Sequence, residues 1–394
     1  MGNNHLKSAA KFNYNIIKTD GPARRGIAST SHGDFNTPAF MPVGTAGAVK
    51  SLTSSDLEEC GAEIILGNTY HLYLRPGEKL IEALGGLARF NAWHKPTLTD
   101  SGGFQIFSLQ DLSKLDDDGV TFRSHHDGSL HRFTPEKVIE IELDLGADII
   151  MSFDQCVPYP ADRGQAEIGV IRTYNWAKRG MVRFKELNRE GVSESALFGI
   201  VQGSVYKDLR MRSAEQIVSL DFPGYAIGGL AVGESKTEME ETLIHTIAYM
   251  PRESPRYLMG VGYPEDILMA VSHGIDMFDC VLPTRNARTG MVFTSSGPLV
   301  FRNAGTAADD RPLDDSCGCK VCRRYSRAYI RHLYNQREIT ALTLASYHST
   351  YFFQNLMRKI RDSITAGNFH EFRRTFLAKY LQGNKISEGE AKSG

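Results

Sequence analysis

Short apolar runs that stop abruptly at polar or glycine-rich residues recur along most of the chain. Eight can be counted: TPAFMPVGT, AEIILGNTYH, PTLTDSGGFQ, GADIIMSFDQC, ALFGIVQGS, GYAIGGLAVGE, RYLMGVG and GIDMFDCVLPTR. The segments between them, such as PEKVIEIELDLG and YPEDILMAVSHG, space their apolar residues as one face of a helix does and carry proline or acidic residues near their starts. The pattern predicts eight β-strands that alternate with α-helices.

Eight strands alternating with helices is the count of a (β/α)8 barrel, and we predict this α/β fold, a TIM barrel, for the chain. A doubly wound open sheet is the alternative interpretation. Both folds place their ligands at the carboxyl ends of the strands. The polar residues that close the apolar runs are therefore candidates for chemistry in either case.

After the eighth run the pattern changes. The segment TGMVFTSSGPLVFRNA predicts a small β-hairpin, a cysteine-rich stretch follows, and two segments with helical spacing precede a polar tail, GNKISEGEAKSG, that we expect to fray. We predict a catalytic barrel with an N-terminal extension over residues 1–300, a small C-terminal metal-binding subdomain over residues 301–350, and helices that pack on the barrel over residues 351–394.

The charge and the apolar content exclude some classes of protein. The formal net charge is −1, with 45 basic and 46 acidic residues, so affinity for nucleic acid has to come from local patches. The stretch MGNNHLKSAAKFNYN lacks the apolar core of a signal peptide, and no stretch approaches the roughly 18 apolar residues of a membrane span. We expect a cytoplasmic protein without membrane association, where clustered cysteines bind metal more often than they form disulfides.

Three of the six cysteines lie close together as C-x-C-x2-C, at Cys317, Cys319 and Cys322. Zinc in structural sites prefers four tetrahedral nitrogen or sulfur ligands. The predicted fourth ligand is His348, which we place at a helix start, whereas His332 should point away along the helix that leaves the cluster. The pattern predicts one structural zinc ion per chain, with a redox cluster or coincidence as the alternative.

Five basic residues accompany the cysteines without an intervening acid: Lys320, Arg323, Arg324, Arg327 and Arg331. Such a patch suits phosphate groups, although a solvated basic face without a partner is the alternative.

Three of the apolar runs close on an aspartate, namely Asp100 in LTDSGGFQ, Asp154 in MSFDQC and Asp279 in DMFDCVLPTR. A lone aspartate at a strand end often serves as a helix N-cap or an ion-pair partner. A pair of carboxylates across a glycosidic bond can instead act as a nucleophile and a general acid or base. The glycine-rich turns DSGG and IGGLAVGE leave backbone N–H groups open to a flat ligand, although glycine also serves ordinary tight turns.

The motifs TPAFMPVGT, ILGNTYHL, TDSGGFQ, LFGIVQGS, GGLAVGE, YLMGVG and DMFDCVLPTR, followed by the cysteine cluster, resemble those of tRNA-guanine transglycosylases of the bacterial, preQ1-inserting type. The resemblance runs from about residue 12 to about residue 380. It implies a pentosyltransferase of queuosine biosynthesis that replaces guanine at wobble position 34 of GUN-anticodon tRNAs, those for Asp, Asn, His and Tyr, with the 7-deazaguanine preQ1. Bacterial relatives are homodimers, and the same is expected here.

The resemblance also implies roles for individual residues. Asp279 would be the nucleophile that attacks ribose C1′ and forms a covalent glycosyl-enzyme intermediate, and Asp100 would be the general acid/base. Two displacements at C1′ retain the β configuration, and the target base must leave its stack to be reached. Asp154 would accept the N1–H and 2-amino groups of guanine.

Further substrate contacts follow from the same resemblance. Gln202 and the backbone N–H of Gly229 would contact guanine O6, Phe104 and Met259 would stack on the base, and Leu230 with Glu234 would sense the aminomethyl group of preQ1. The remaining substrate-binding residues would be Ser101, Gly102 and Gly103. Two segments match those that hold the anticodon loop: Gly260, Val261, Gly262, Tyr263, Pro264, Glu265 and Asp266, and then Thr284, Arg285, Asn286, Ala287 and Arg288.

Two positions bear on the subfamily. Val232 stands where the eukaryotic subunits that accept the bulkier queuine resemble one another in having glycine, so it would narrow the pocket. Gln155 departs from the glutamate usual in bacterial relatives, and the lost charge beside Asp154 could alter the preference for preQ1. Two rivals are a non-catalytic RNA-binding subunit, which should lack Asp279 or Asp100, and a barrel hydrolase or lyase acting on a small glycoside, which would need neither the cysteine cluster nor TRNAR.

Overall fold

The computed structural model describes residues 12–108, 113–188 and 194–391, and it describes the side chains of these residues except at 107–108 and beyond residue 382. Most of the amino-terminal stretch used above to exclude a signal peptide lies outside these residues. Helix bounds extend to Ala391, but the side chains of the polar tail are outside the described part, so its fraying stays a prediction. Strands and helices are numbered below in chain order.

Eight parallel strands close into a barrel, in the order β10-β11-β12-β13-β14-β4-β5-β6. Their bounds are β4 (Ala39–Gly44), β5 (Ile65–Asn68), β6 (Thr97–Asp100), β10 (Ile149–Met151), β11 (Ala196–Val201), β12 (Tyr225–Ile227), β13 (Arg256–Leu258) and β14 (Met277–Cys280). Each of the eight predicted runs contains one of these strands. The predicted barrel is confirmed, and the open sheet is excluded because β14 pairs with β4 and closes the ring.

Within the described residues, three smaller sheets accompany the barrel. An amino-terminal sheet holds β1 (Asn13–Asp20), β2 (Ala23–Thr30) and β3 (Gly33–Thr37), and an excursion after β6 holds β7 (Ser113–Asp116), β8 (Gly119–Arg123) and β9 (Leu130–Phe133). The sequence did not predict these two sheets, because several of their strands are short, polar and largely exposed. The predicted hairpin after the barrel is confirmed as β15 (Val292–Thr294) paired with β16 (Gly297–Leu299).

The helices begin and end where local chemistry favours it. In α6, for example, the Thr134 side chain accepts the N–H of Lys137, Pro135 occupies the first turn, and Gly146 closes the helix in the left-handed conformation. The bounds of the helices are α1 (Ser54–Glu59), α2 (Thr69–Leu74), α3 (Glu78–Ala83), α4 (Gly86–Phe90), α5 (Gly103–Ser108), α6 (Pro135–Leu145), α7 (Arg163–Asn188), α8 (Lys207–Val218), α9 (Lys236–Ile247), α10 (Pro264–Ser272), α11 (Leu282–Arg288), α12 (Arg327–Asn335), α13 (Ile339–Ala366) and α14 (Phe369–Ala391).

The chain divides into two compact units, which are described separately. The first contains the described residues of 12–16, 26–36 and 67–257, and Phe153 stacked on Trp176 at 4.6 Å lies in its core. The second contains those of 17–25, 37–66 and 258–391, with Phe40 stacked on Phe353 at 4.6 Å. Among the described residues, no helix has both the length and the apolar content needed to cross a bilayer.

Candidate active site

Asp100 ends strand β6 in the first unit and is held by donors from two directions. Its Oδ2 accepts hydrogen bonds from Asn68 Nδ2 at 2.7 Å and from Gln105 Nε2 at 3.1 Å. Its Oδ1 accepts the backbone N–H groups of Thr69 at 3.0 Å and of Gly102 at 3.2 Å. Asn68 is itself fixed, because its Oδ1 caps helix α2 through the N–H of His71. The carboxyl group is therefore oriented before any ligand arrives.

Asp154 lies three residues beyond β10 and is buried beside the loop that follows Asp100. Its Oδ2 accepts from Gln202 Nε2 at 2.7 Å, and its Oδ1 accepts from Ser101 Oγ at 3.4 Å. A Cβ at Gly103 would lie 2.8 Å from the Asp154 carbonyl oxygen, so only glycine permits this approach. Burial raises the pKa of Asp154 to about 6, although the hydrogen bonds from Gln202 and Ser101 oppose the shift.

Gln202 follows β11 and is packed between Asp154 and the glycine pair after β12. A Cβ on Gly228 would lie 2.6 Å from Gln202 Nε2, and one on Gly229 would lie 2.5 Å from Gln202 Oε1. Gly229 also has a φ of +66°, which favours glycine. The two glycines therefore make room for the amide, and the buried pair of Asp154 and Gln202 presents one carboxylate and one amide side by side.

The loop after Gly229 folds back on itself. Leu230 is buried, Ala231 has a positive φ of 58°, and Glu234 accepts the N–H groups of Ala231 and Val232. A left-handed alanine is strained by roughly 1 kcal/mol or more, and the two hydrogen bonds to one carboxylate offset that cost. Glu234 therefore holds the backbone that follows Leu230.

Phe104 lies in the first turn of helix α5, and 55 % of its surface is exposed although its side chain is large and apolar. An exposed aromatic ring just beyond the carboxyl end of a barrel strand suits a ligand with a flat face. Met259, its predicted stacking partner, follows β13 in the second unit and is half-buried.

Asp279 lies on β14 in the second unit. Its Oδ1 accepts the backbone N–H of Gly260 at 2.7 Å, and Gly260 has a φ of +74°. Two residues later, a Cβ on Gly262 would lie 2.4 Å from Cys280 Cβ, so glycine is needed for this loop to pack on the strand. The loop after β13 thereby orients the carboxylate of Asp279.

The two predicted RNA-binding segments surround Asp279 in the chain. The first forms the loop after β13 and the start of α10, and the second forms most of α11, which begins two residues after Cys280. Tyr263 and Arg285 are exposed, whereas the side chains of Val261, Pro264, Asp266, Thr284 and Ala287 are buried. Any side-chain contact to RNA therefore falls to the exposed members of each segment.

The cysteine cluster lies in the second unit, and its members come together as predicted. The ligand atoms of Cys317, Cys319, Cys322 and His348 all lie within 4.8 Å of one another. His348 Nε2 is 2.9 Å from the Phe293 carbonyl oxygen, and this contact makes Nε2 the protonated nitrogen. Nδ1, 3.2 Å from Cys322 Sγ, is then the nitrogen directed at the sulfurs. The geometry fits a metal ion with Cys3His ligation.

One detail of the cluster differs from the prediction. His348 lies in the third turn of α13, not at a helix start, because the helix begins earlier, at Ile339. The basic residues around the cluster are also partly engaged within the protein: Lys320 pairs with Asp56 at 2.8 Å, and Arg327 pairs with Asp309 at 3.0 Å. The proposed phosphate patch stays a prediction.

Several polar groups around the site were missed by the sequence reasoning, Gln105 among them. Asn68 could have been found, since it closes a predicted strand as the three aspartates do. Glu142 is fully buried in α6 and accepts from Thr99 Oγ1 at 3.1 Å and from the Met151 N–H at 3.0 Å, and burial raises its pKa. Arg210, fully buried in α8, carried no signal, because LRMRSAEQ has the composition of an exposed helix.

Known proteins resemble this chain over nearly its whole length. The sequence profile of the family described as queuine tRNA-ribosyltransferase matches residues 19–382. A queuine tRNA-ribosyltransferase of Caldanaerobacter subterraneus is 56 % identical over 378 residues, covering 95 % of this chain and 99 % of the relative. Relatives of the same name are 53 % identical in Nitratidesulfovibrio vulgaris, covering 93 % of this chain and 97 % of the relative, and 50 % identical in Zymomonas mobilis, covering 95 % and 97 %.

Proposed function

The chain belongs to the queuine tRNA-ribosyltransferase family, whose members are pentosyltransferases, and we propose that it replaces guanine at wobble position 34 of GUN-anticodon tRNAs with preQ1. The tRNAs are those for Asp, Asn, His and Tyr. The reaction is a double displacement through a covalent glycosyl-enzyme intermediate, with preQ1 as the incoming base in queuosine biosynthesis.

The observation that carries this proposal is the buried pair of Asp154 and Gln202. Guanine offers two adjacent donors, N1–H and the 2-amino group, which one carboxylate accepts together. The Gln202 amide nitrogen, 2.7 Å from Asp154 Oδ2, carries a second N–H that can donate to guanine O6. This arrangement of two acceptors and one donor matches the hydrogen-bonding edge of guanine, whereas adenine presents a different arrangement of donors and acceptors.

Asp279 is the proposed nucleophile. Its carboxylate oxygen forms a bond to ribose C1′ while the bond from C1′ to guanine breaks, and Asp100 supplies the proton that the departing base takes up. The incoming base then loses a proton to Asp100 and displaces the Asp279 carboxylate, which restores both groups and the β configuration. Support comes from the position of each aspartate at the carboxyl end of a barrel strand, the end at which TIM barrels build their active sites.

The preference for preQ1 is proposed from the loop after β12. Leu230 and Glu234 would face the aminomethyl group, and Val232 would narrow the pocket against the larger queuine. Gln155 does not weaken this proposal, because its Oε1 accepts from Arg172 Nη1 at 2.6 Å and the amide is thus engaged by helix α7.

The other parts have supporting roles in the proposal. The exposed residues Tyr263 and Arg285 contact the anticodon loop. The Cys3His cluster holds one structural zinc ion, which links the segment with the three cysteines to helix α13. We further propose that the protein works in the cytoplasm as a homodimer, as the bacterial proteins that it resembles do.

Exchange of labelled guanine into a GUN-anticodon tRNA tests the function. Wild-type protein should incorporate the label and form a covalent RNA adduct on a denaturing gel, and Asp279→Ala should do neither. Asp362→Ala is a matched control, because Asp362 lies on an exposed face of α13 and its contact with Arg358 is long, at 3.8 Å. Full exchange by Asp279→Ala would remove the assigned nucleophile.

A further inference from the structure

Arg210 is a fully buried cation in the first unit, and its partners are unusual. Its guanidinium donates to four backbone carbonyls: Ser204 at 2.6 Å, Gly228 at 2.8 Å, Val201 at 3.2 Å and Gly229 at 3.2 Å. It forms no salt bridge within the described part of the chain. Burial lowers the pKa of Arg210 to about 10, so the group stays charged at neutral pH.

The four carbonyls belong to the two segments that carry the amide side of the candidate site. Val201 and Ser204 flank Gln202, and Gly228 with Gly229 form the surface on which the Gln202 amide packs. Ser204 has a φ of +50°, a conformation that a non-glycine residue keeps only where its surroundings hold it. Arg210 donates to the carbonyl of that residue, so it stabilises the turn after Gln202.

The hydrogen bonds from Arg210 to the carbonyls of Gly228 and Gly229 also set the direction of two N–H groups. These peptides are not among the cis bonds of the chain, and in a trans peptide the carbonyl of one residue and the N–H of the next point in opposite directions. With the carbonyls of Gly228 and Gly229 directed at Arg210, the N–H groups of Gly229 and Leu230 are directed away from it.

The Gln202 amide lies against the same glycine pair, because a Cβ on Gly229 would lie 2.5 Å from Gln202 Oε1. Gln202 in turn donates to Asp154 Oδ2 at 2.7 Å. The peptides that Arg210 holds therefore adjoin the pair of Asp154 and Gln202, from which the proposed base would be read.

We propose that Arg210 is a positioning residue for base recognition: it locks the peptides around Gly229 and the turn around Gln202 so that their donors face the base. The inference rests on the proposed function, since it concerns how that pocket recognises its base. A guanidinium suits this role because its planar array of five N–H donors reaches carbonyls of two segments at once. The compact ammonium group of lysine cannot do so. A carboxylate partner would have drawn it away from the carbonyls.

Arg210→Met and Arg210→Lys test the proposal, with Arg212→Met as the matched control. Arg212 lies on the same helix but is partly exposed and pairs with Glu167 at 2.9 Å. Misplaced donors weaken the binding of the base equally in the ground state and in the transition state. The KM for guanine should therefore rise by about 10- to 100-fold in Arg210→Met, while kcat changes much less. The KM for guanine of Arg210→Lys should lie between those of the wild-type protein and of Arg210→Met. The KM for tRNA should not change in either variant.

The outcomes separate this inference from the proposed function. Absence of exchange by the wild-type protein would contradict the function, whereas a wild-type KM for guanine in folded Arg210→Met would overturn the role of Arg210 alone. An equal rise in the KM for guanine and for tRNA would indicate general damage and also overturn it. If neither Arg210 variant folds, a crystal structure of the wild-type protein with guanine decides. The Gly228 carbonyl must remain on Arg210 and the Gly229 N–H must contact the base, and a flipped peptide would refute the proposal.

Discussion

Lowering the pH from about 7.5 to about 5 should weaken guanine binding about tenfold, because it protonates Asp154. Burial raises the pKa of this carboxyl to about 6. At pH 5 only about one molecule in eleven then carries the carboxylate that accepts the two guanine donors. Since apparent affinity scales with the fraction in the competent state, the dissociation constant should rise by about a factor of ten. Above pH 7 the group is nearly fully ionised and the affinity should be constant.

Calorimetric titration of the free protein with guanine measures this directly, without RNA. Asp154→Asn is the control, because it cannot ionise and should bind weakly at every pH, with no inflection near pH 6. A wild-type affinity that stays constant down to pH 5 would show that the ionised carboxylate is not the acceptor.

The same pKa predicts a stability effect of opposite sense. Between about pH 4 and pH 6 the folded protein holds the Asp154 proton more tightly than the unfolded chain does, so the free energy of unfolding falls as pH rises through this window. The rise from 3.8 to about 6 corresponds to about 3 kcal/mol. Asp154→Asn should therefore be more stable than wild type at pH 7, by up to about 3 kcal/mol, and not below about pH 4. If the wild-type protein and Asp154→Asn unfold at the same temperature at pH 7, this cost of burying the Asp154 carboxylate is contradicted.

Two further predictions concern residues outside the base pocket. Metal analysis should find about one zinc ion per chain, lost in Cys319→Ser but kept in Cys60→Ser, whose thiol is buried nearby and donates to the Tyr347 carbonyl instead; a folded, metal-free wild type would refute the zinc site. Gln155→Glu should keep its contact with Arg172 and change the preference among guanine, preQ1 and queuine by less than about twofold in competition, whereas a shift of about tenfold would place residue 155 beside the aminomethyl group.

The sequence determined the barrel and its strand ends. All eight apolar runs became barrel strands, because a strand buried on both faces has to be continuously apolar and its end is marked by the first polar residue. Asp100, Asp154 and Asp279 were found for this reason. All four members of the metal cluster were likewise predicted: the three cysteines from their short local spacing, and His348 as the fourth ligand.

Only the tertiary structure decided which polar residues serve the site from a distance. Gln155 follows Asp154 directly, yet neighbouring side chains of an extended segment point to opposite sides, and its amide meets Arg172. Arg210 has the sequence surroundings of a solvated helix and becomes buried only because two loops fold over it. Its partners are backbone carbonyls, which every residue possesses and no sequence pattern marks. Such contacts depend on where the chain passes, and that is set by the packing of the whole barrel.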